Sequence, residues 1–275
     1  MASASEIILP KNFDIARLSF SQPKQLTTGG KTIFVNYNGN QLLMQTPDMK
    51  TPFGVSVWPG DNGGPDKYSL DLSFDGFETR EPVSQFLDVV NAIDDRMIND
   101  AMENSQLWFK KKYPSKEVVV ELYTKSLRHS KDRETGEINT RYAPTLKMAL
   151  PTKDGRFMFP TYGDRRNELD LLEMVQTGSS KGARCRAIVH LSGVWIVGTK
   201  FGLSWKVKQL QVCMNSKSLS KWAFQKTEED VSDEEPEEPE ETSVGAGAGA
   251  GAKTSQKAGG VMIPESDDEN DDLEP

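Results

Sequence analysis

The sequence predicts an α+β, β-rich body over residues 1–226, followed by a disordered acidic tail over residues 227–275. Three observations carry this prediction. Apolar and polar residues alternate in several short runs, one run recurs at helical spacing, and the composition changes abruptly after Lys226. The chain of 275 residues has a formal charge of −8, yet residues 227–275 hold 17 Asp or Glu against two Lys, a net of −15. The body keeps 31 Lys or Arg against 24 Asp or Glu, a net of +7. A basic body suits a polyanionic partner such as nucleic acid, which would repel a uniformly acidic protein.

The elements follow in chain order. Ile33 to Tyr37 and Gln41 to Thr46 flank the turn cluster Asn38-Gly39-Asn40 and read as a hairpin. Val55 to Trp58 adds a strand. From Tyr68 to Phe74, Tyr68, Leu70, Leu72 and Phe74 alternate with Ser69, Asp71 and Ser73, giving one buried and one wet face. After Pro82, the residues Phe86, Val89, Val90, Ile93, Met97 and Met102 recur three and four apart, so residues 82–104 read as one amphipathic helix lying over the sheet. Ser115 caps a shorter helix reaching about Ser126, against the β-branched run Val118-Val119-Val120. A polar loop with Lys131, Arg133 and Arg141 follows. Strands return at Tyr142 to Leu150 and Arg156 to Pro160 around the turn Thr152 to Gly155, and Asn167 to Gln176 reads as a short helix.

Residues 182–212 are the most informative. Arg184, Arg186, Ile188 and His190 point one way while Cys185, Ala187, Val189 and Leu191 point the other. Val194 to Val197 and Leu203 to Val212 are further strands, and Gln209 breaks the alternation as a β-bulge would. The strand pair is expected to present Arg184, Arg186, Lys206 and Lys208 to solvent, with Lys200, Trp195, Phe201 and Trp205 nearby. Cations for phosphates and rings for unstacked bases are what single strands require. Trp108, Lys110, Lys111, Lys112 and Tyr113 form a second candidate cluster, and Arg141, Tyr142 and Lys147 a third. Each has a structural alternative. Trp58, Trp195 and Trp205 alternate with aliphatics, where tryptophans more often belong to a core, and the partner of Arg184 and Arg186 is an internal carboxylate as readily as a phosphate.

Other chemistry is not expected. Cys185 and Cys213, with His129 and His190, lack the spacing of a zinc site and read as reduced thiols. Thr28-Gly29-Gly30-Lys31-Thr32 ends like a nucleotide-binding loop, but Gln25 occupies the first glycine position and a strand follows where a helix is needed. No catalytic constellation, cofactor motif or membrane-spanning run stands out, so the expectation is a soluble, intracellular, non-enzymatic protein.

The run from Ala187 through Val194-Trp195, Gly198, Phe201-Gly202 and Ser204-Trp205-Lys206-Val207 to Val212 resembles the C-terminal signature of the single-stranded DNA-binding proteins of nucleocytoplasmic large DNA viruses. The helix after residue 82 and the run Arg141-Tyr142-Ala143-Pro144-Thr145-Leu146-Lys147 are similar too, so the resemblance covers about residues 30–215. It implies an OB-fold-like antiparallel barrel with inserted helices, single-strand binding without strong sequence preference, and a role in viral DNA replication or repair. Single-stranded DNA is then the expected partner, with RNA an alternative, in host cytoplasm or nucleus or within the virion. The run of alternating Gly and Ala from Gly245 to Ala252 has no counterpart in that resemblance.

The tail suggests its own mechanism. Its 49 residues span ~40 Å as a flexible coil, enough to reach the body and compete for its binding groove. Displaced by a long strand, it is free to recruit replication proteins. Ser232 and Ser266 each precede acidic residues, as an acidophilic kinase prefers, and phosphate there strengthens the competition. Two other classes fit the charge pattern: a chaperone or packaging protein for duplex DNA or RNA, and a structural virion protein.

Overall fold

A computed structural model of the chain describes residues 6–27, 30–60 and 63–213. The acidic tail, its Gly/Ala spacer, and Ser232 and Ser266 lie outside the described residues. Described strands include β1 (Lys31–Tyr37), β2 (Leu43–Gln45), β3 (Met49–Lys50), β4 (Val55–Trp58), β5 (Lys67–Ser73), β6 (Thr145–Leu150), β7 (Thr161–Tyr162), β8 (Arg184–Val197) and β9 (Lys200–Cys213). The helices are α1 (Glu81–Glu103), α2 (Ser105–Phe109), α3 (Lys116–Leu122) and α4 (Leu171–Gln176).

The pairings close a ring. β8 pairs antiparallel with β2 and β3, β3 and β4 pair with β5, and β5 pairs with β6. β6 then runs parallel to β9 through Ala149 and Lys206, and β9 returns antiparallel to β8. Five staves result, the first being β2 to β4 with a break at residues 51–54. This is an OB-fold-like barrel, antiparallel except for the one parallel contact that closes it. It is filled by Met44, Leu72, Leu146, Met148, Val189 and Val207, all at most 1% exposed.

Helices fill two insertions. α1, α2 and α3 lie between β5 and β6, and α4 lies between β6 and β8. The apolar stripe of α1 buries Phe86, Val90, Ile93 and Met97, with Phe86 stacked on Phe74 at 5.5 Å between centroids. α1 also carries buried Asp94, whose carboxylate accepts hydrogen bonds from Tyr123 Oη at 2.6 Å, Ser126 Oγ at 2.7 Å and Ser126 N at 3.0 Å. Burial pushes that carboxyl above its usual range, and the hydrogen bonds pull it partly back. Trp205 Nε1 donates to Ser126 Oγ at 3.3 Å, which ties the helical layer to β9.

Most expected elements are present, with local differences. The turn at Asn38 and Gly39, both at positive φ, joins β1 to Asn40–Gln41, but β2 then leaves the hairpin to pair with β8 because Met44 belongs to the barrel interior. The shorter helix ends at Leu122, since Tyr123–Thr124 pairs in parallel with Phe201–Gly202. The β-bulge expected at Gln209 is present: Ile188 faces Gln209 and Val189 faces Val207, leaving Lys208 as the extra residue. Lys31 and Thr32 open a strand, so no helix follows the glycine pair. The cysteines are free, and the Cys185 thiol is pushed up to about 12 by burial.

Candidate nucleic-acid interface

The break at residues 51–54 aims the first stave outward. Thr51 Oγ1 donates to the carbonyls of Ser180 at 2.9 Å and Ala183 at 3.0 Å, and Ser180 Oγ accepts from Val55 N at 3.1 Å. From this anchor β4 runs along β5 with Ser56 opposite Ser69 and Trp58 opposite Lys67. On the other edge of β5, Asp71 faces Lys147 and Ser69 faces Ala149. Arg128 faces Thr145 on the far side of β6. Strand alternation places Ser56, Trp58, Lys67, Ser69, Asp71, Lys147, Ala149 and Arg128 on one outward face, and Ala149 carries it on to Lys206 of β9.

This face carries both of the groups that a single strand needs. Trp58 is 54% exposed, and Lys147 Nζ lies 5.0 Å from its ring centroid, a cation–π contact. In the neighbouring row Ser69 is buried between its partners Ser56 and Ala149, and its Oγ has no hydrogen-bond partner. Asp71 is half buried, and burial raises its carboxyl although the charges of Arg128 and Lys147 pull it down. The arrangement offers a ring for stacking, cations for phosphates and a carboxylate able to accept from a base amino group.

Residues 82–225 match the family of unknown function DUF5871. The chain belongs to this family. In this DUF5871 member the matched segment runs from α1 past β9, so it contains Arg128, Lys147 and Lys206, while Trp58 and Asp71 precede it. No curated protein matches the chain. Among solved structures, it is similar to the single-stranded DNA-binding protein of bacteriophage Enc34 in complex with ssDNA, at 12% identity and a TM-score of 0.39, covering 73% of this chain and 98% of that one. It is also similar to gp2.5, a single-stranded DNA-binding protein of bacteriophage T7, at 10% identity and a TM-score of 0.39, covering 74% of this chain and 100% of that one.

The DUF5871 structure distributes the other expected site residues unevenly. Arg184, Arg186, Lys206 and Lys208 are all on the outer side of the β8–β9 pair. Arg184 is used internally: its Nε meets Asp48 Oδ2 at 2.8 Å and its Nη2 donates to the Asp48 carbonyl at 3.0 Å. Arg186 and Lys208 are exposed and Lys206 is half buried. The rings expected beside them are not available as platforms. Trp195, Phe201 and Trp205 are 6%, 0% and 3% exposed. Trp195 lies against the backbone of Gly202, and Phe201 packs on Phe109 at 5.0 Å and Tyr123 at 5.1 Å. Lys200 is exposed, and its Nζ donates to the Glu121 carbonyl at 2.6 Å.

The second cluster is corrected in the same way. Lys110, Lys111 and Lys112 are exposed, but Trp108 and Tyr113 are 2% and 5% exposed. Trp108 packs edgewise on Phe20, and Lys110 turns the chain at φ 56° so that the three lysines emerge together beyond α2. In the third cluster Arg141 and Tyr142 are exposed on the loop entering β6, and Lys147 reaches the interface. Sequence reasoning missed Trp58, Asp71 and Arg128. The signal was there for Trp58, which shares its strand parity with Ser56 rather than with Val55 and Val57.

Proposed function

We propose that the chain is a non-enzymatic, sequence-non-specific single-stranded DNA-binding protein that engages the strand on the outer face of β4, β5 and β6. The observation that carries this is the exposed indole of Trp58 under Lys147, flanked by Arg128 and Asp71. An exposed ring beside cations serves unpaired bases, whereas a duplex hides its base faces and asks only for charge. The position supports the reading further, because OB folds bind oligonucleotides on the face of their second and third strands. By the resemblance at residues 187–212, the setting proposed for this binding is viral DNA replication or repair, in host cytoplasm or nucleus or within the virion. The acidic tail then acts as an internal polyanion that competes for this face and recruits replication partners once displaced.

Anisotropy titrations with a labelled single strand, an RNA and a duplex of equal length, at several salt concentrations, test the proposal. Tighter binding of the DNA single strand is expected, and K147A and R128A should each reduce the salt slope by about 1 with no change in sequence preference. Equal affinity for the duplex would indicate a packaging protein, and no binding at moderate salt a structural one. Deleting residues 227–275 should tighten binding at low salt, and unchanged affinity removes the competing role of the tail.

A further inference from the structure

Away from the Trp58 face, the outside of β8 and β9 carries a cleft of about 360 Å³ whose lining includes Gln45, Tyr162, Arg166, Arg186, Ile188, Gln209 and Gln211. Strand register builds it. Ile188 sits between Gln45 on β2 and Gln209 on β9, and the next row out places Arg186 opposite Gln211, which in turn faces Tyr162 on β7. The register between these two rows is regular, and the bulge at Lys208 follows on the Val189 side of the Ile188 row. Arg166 projects from a turn in which it adopts φ 61° and its amide donates to the Gly163 carbonyl at 3.1 Å. Both arginines are exposed, and neither forms an ion pair among the described residues. Asp164, in the same turn, is hydrogen-bonded to Cys213, whose thiol is pushed up to about 11 chiefly by burial.

We propose that this cleft binds one nucleotide unit, its phosphate between Arg186 and Arg166 and its base over Ile188. The chemistry of the lining argues for that ligand. Guanidinium groups take phosphate oxygens in pairs, and an apolar floor takes the face of a base. Glutamine amides on either side both donate and accept, so they satisfy the edge of any base without selecting one. An anion alone would have no use for Ile188, and an apolar ligand would leave two arginines and three amides unpaired. The volume lies at the small end of ligand pockets, the size of a nucleotide rather than of a longer oligomer. The unit arises either as a free nucleotide or as one residue of a strand that continues past Lys206 and Lys208 from the Trp58 face. The second source rests on the proposed function; the first does not.

Amide NMR of the full chain titrated with thymidine monophosphate tests the site directly. Resonances of Gln45, Ile188 and Gln209 should shift, and the variant R186A/R166N should abolish the shifts, asparagine being tolerant of the positive φ. In that variant an oligomer of about four nucleotides should still bind as in the parent, whereas a strand of about sixteen should bind about tenfold more weakly if the strand supplies the unit. Unchanged binding of the longer strand, with the shifts intact in the parent, assigns the cleft to a free nucleotide. No shift with thymidine monophosphate and no loss with the longer strand overturn the proposal. Shifts produced instead by a peptide of residues 265–274 make it a carboxylate site and also overturn it. A chain that binds no oligomer yet shows the nucleotide shifts loses the single-strand reading and keeps this one.

Discussion

Trp58 exposes more than half of its surface while standing next to a lysine, so its substitution separates binding from stability. W58A should lower single-strand affinity by about 1–3 kcal/mol and leave urea denaturation nearly unchanged, measured on the same preparation. Asp71 tests the electrostatics of the same face. Its folded-state carboxyl lies above the ordinary value because of burial, so ionising it costs stability as pH rises from the unfolded value through the folded one. D71N should therefore be more stable than the parent at pH 7, with the advantage gone at pH 3, and should bind single strands about 1 kcal/mol more tightly by removing a negative charge beside the phosphates. Tyr123 has the opposite character: its hydroxyl donates to buried Asp94, and Y123F leaves that carboxylate short of a donor. A loss of about 1–3 kcal/mol in urea melts is expected, with single-strand affinity unchanged.

Among the elements, the β8–β9 hairpin contains a close approach of ring to backbone. A Cβ added at Gly202 would come within 2.6 Å of the Trp195 indole, so G202A must displace the ring or splay the strands. It should cost about 1–3 kcal/mol by urea melting. This hairpin was also the element most readable from the sequence, since the inward row of β8 from Cys185 to Leu191 alternates without interruption and the bulge in β9 shows as a break of the alternation at Gln209. α1 was readable for the same reason, its bounds differing from 82–104 by one residue at each end. The rings were harder. Trp205 and Trp108 have cationic neighbours in sequence and Trp195 does not, but the packing partners of all three, Ser126, Phe20 and Gly202, come from other elements, and only the folded chain brings those together. Trp58 reads as core from the sequence because Val55 and Val57 in β4 outweigh the parity it shares with Ser56.

Across the whole molecule, the β-rich body was predictable from alternation, whereas ring closure was not. The parallel contact of Ala149 with Lys206 joins segments more than fifty residues apart and leaves no local signal. The same closure carries the outward face of β5 and β6 onto β9, so Lys147 and Lys206 neutralise one surface although neither motif announces the other. The most direct measurement is tryptophan fluorescence during titration with oligo-dT at several salt concentrations, comparing the parent chain with W58F. Single-strand binding through the β4–β6 face predicts quenching in the parent that weakens steeply with salt and is largely lost in W58F. Equal quenching in the two proteins, or binding with no quenching in either, would contradict it.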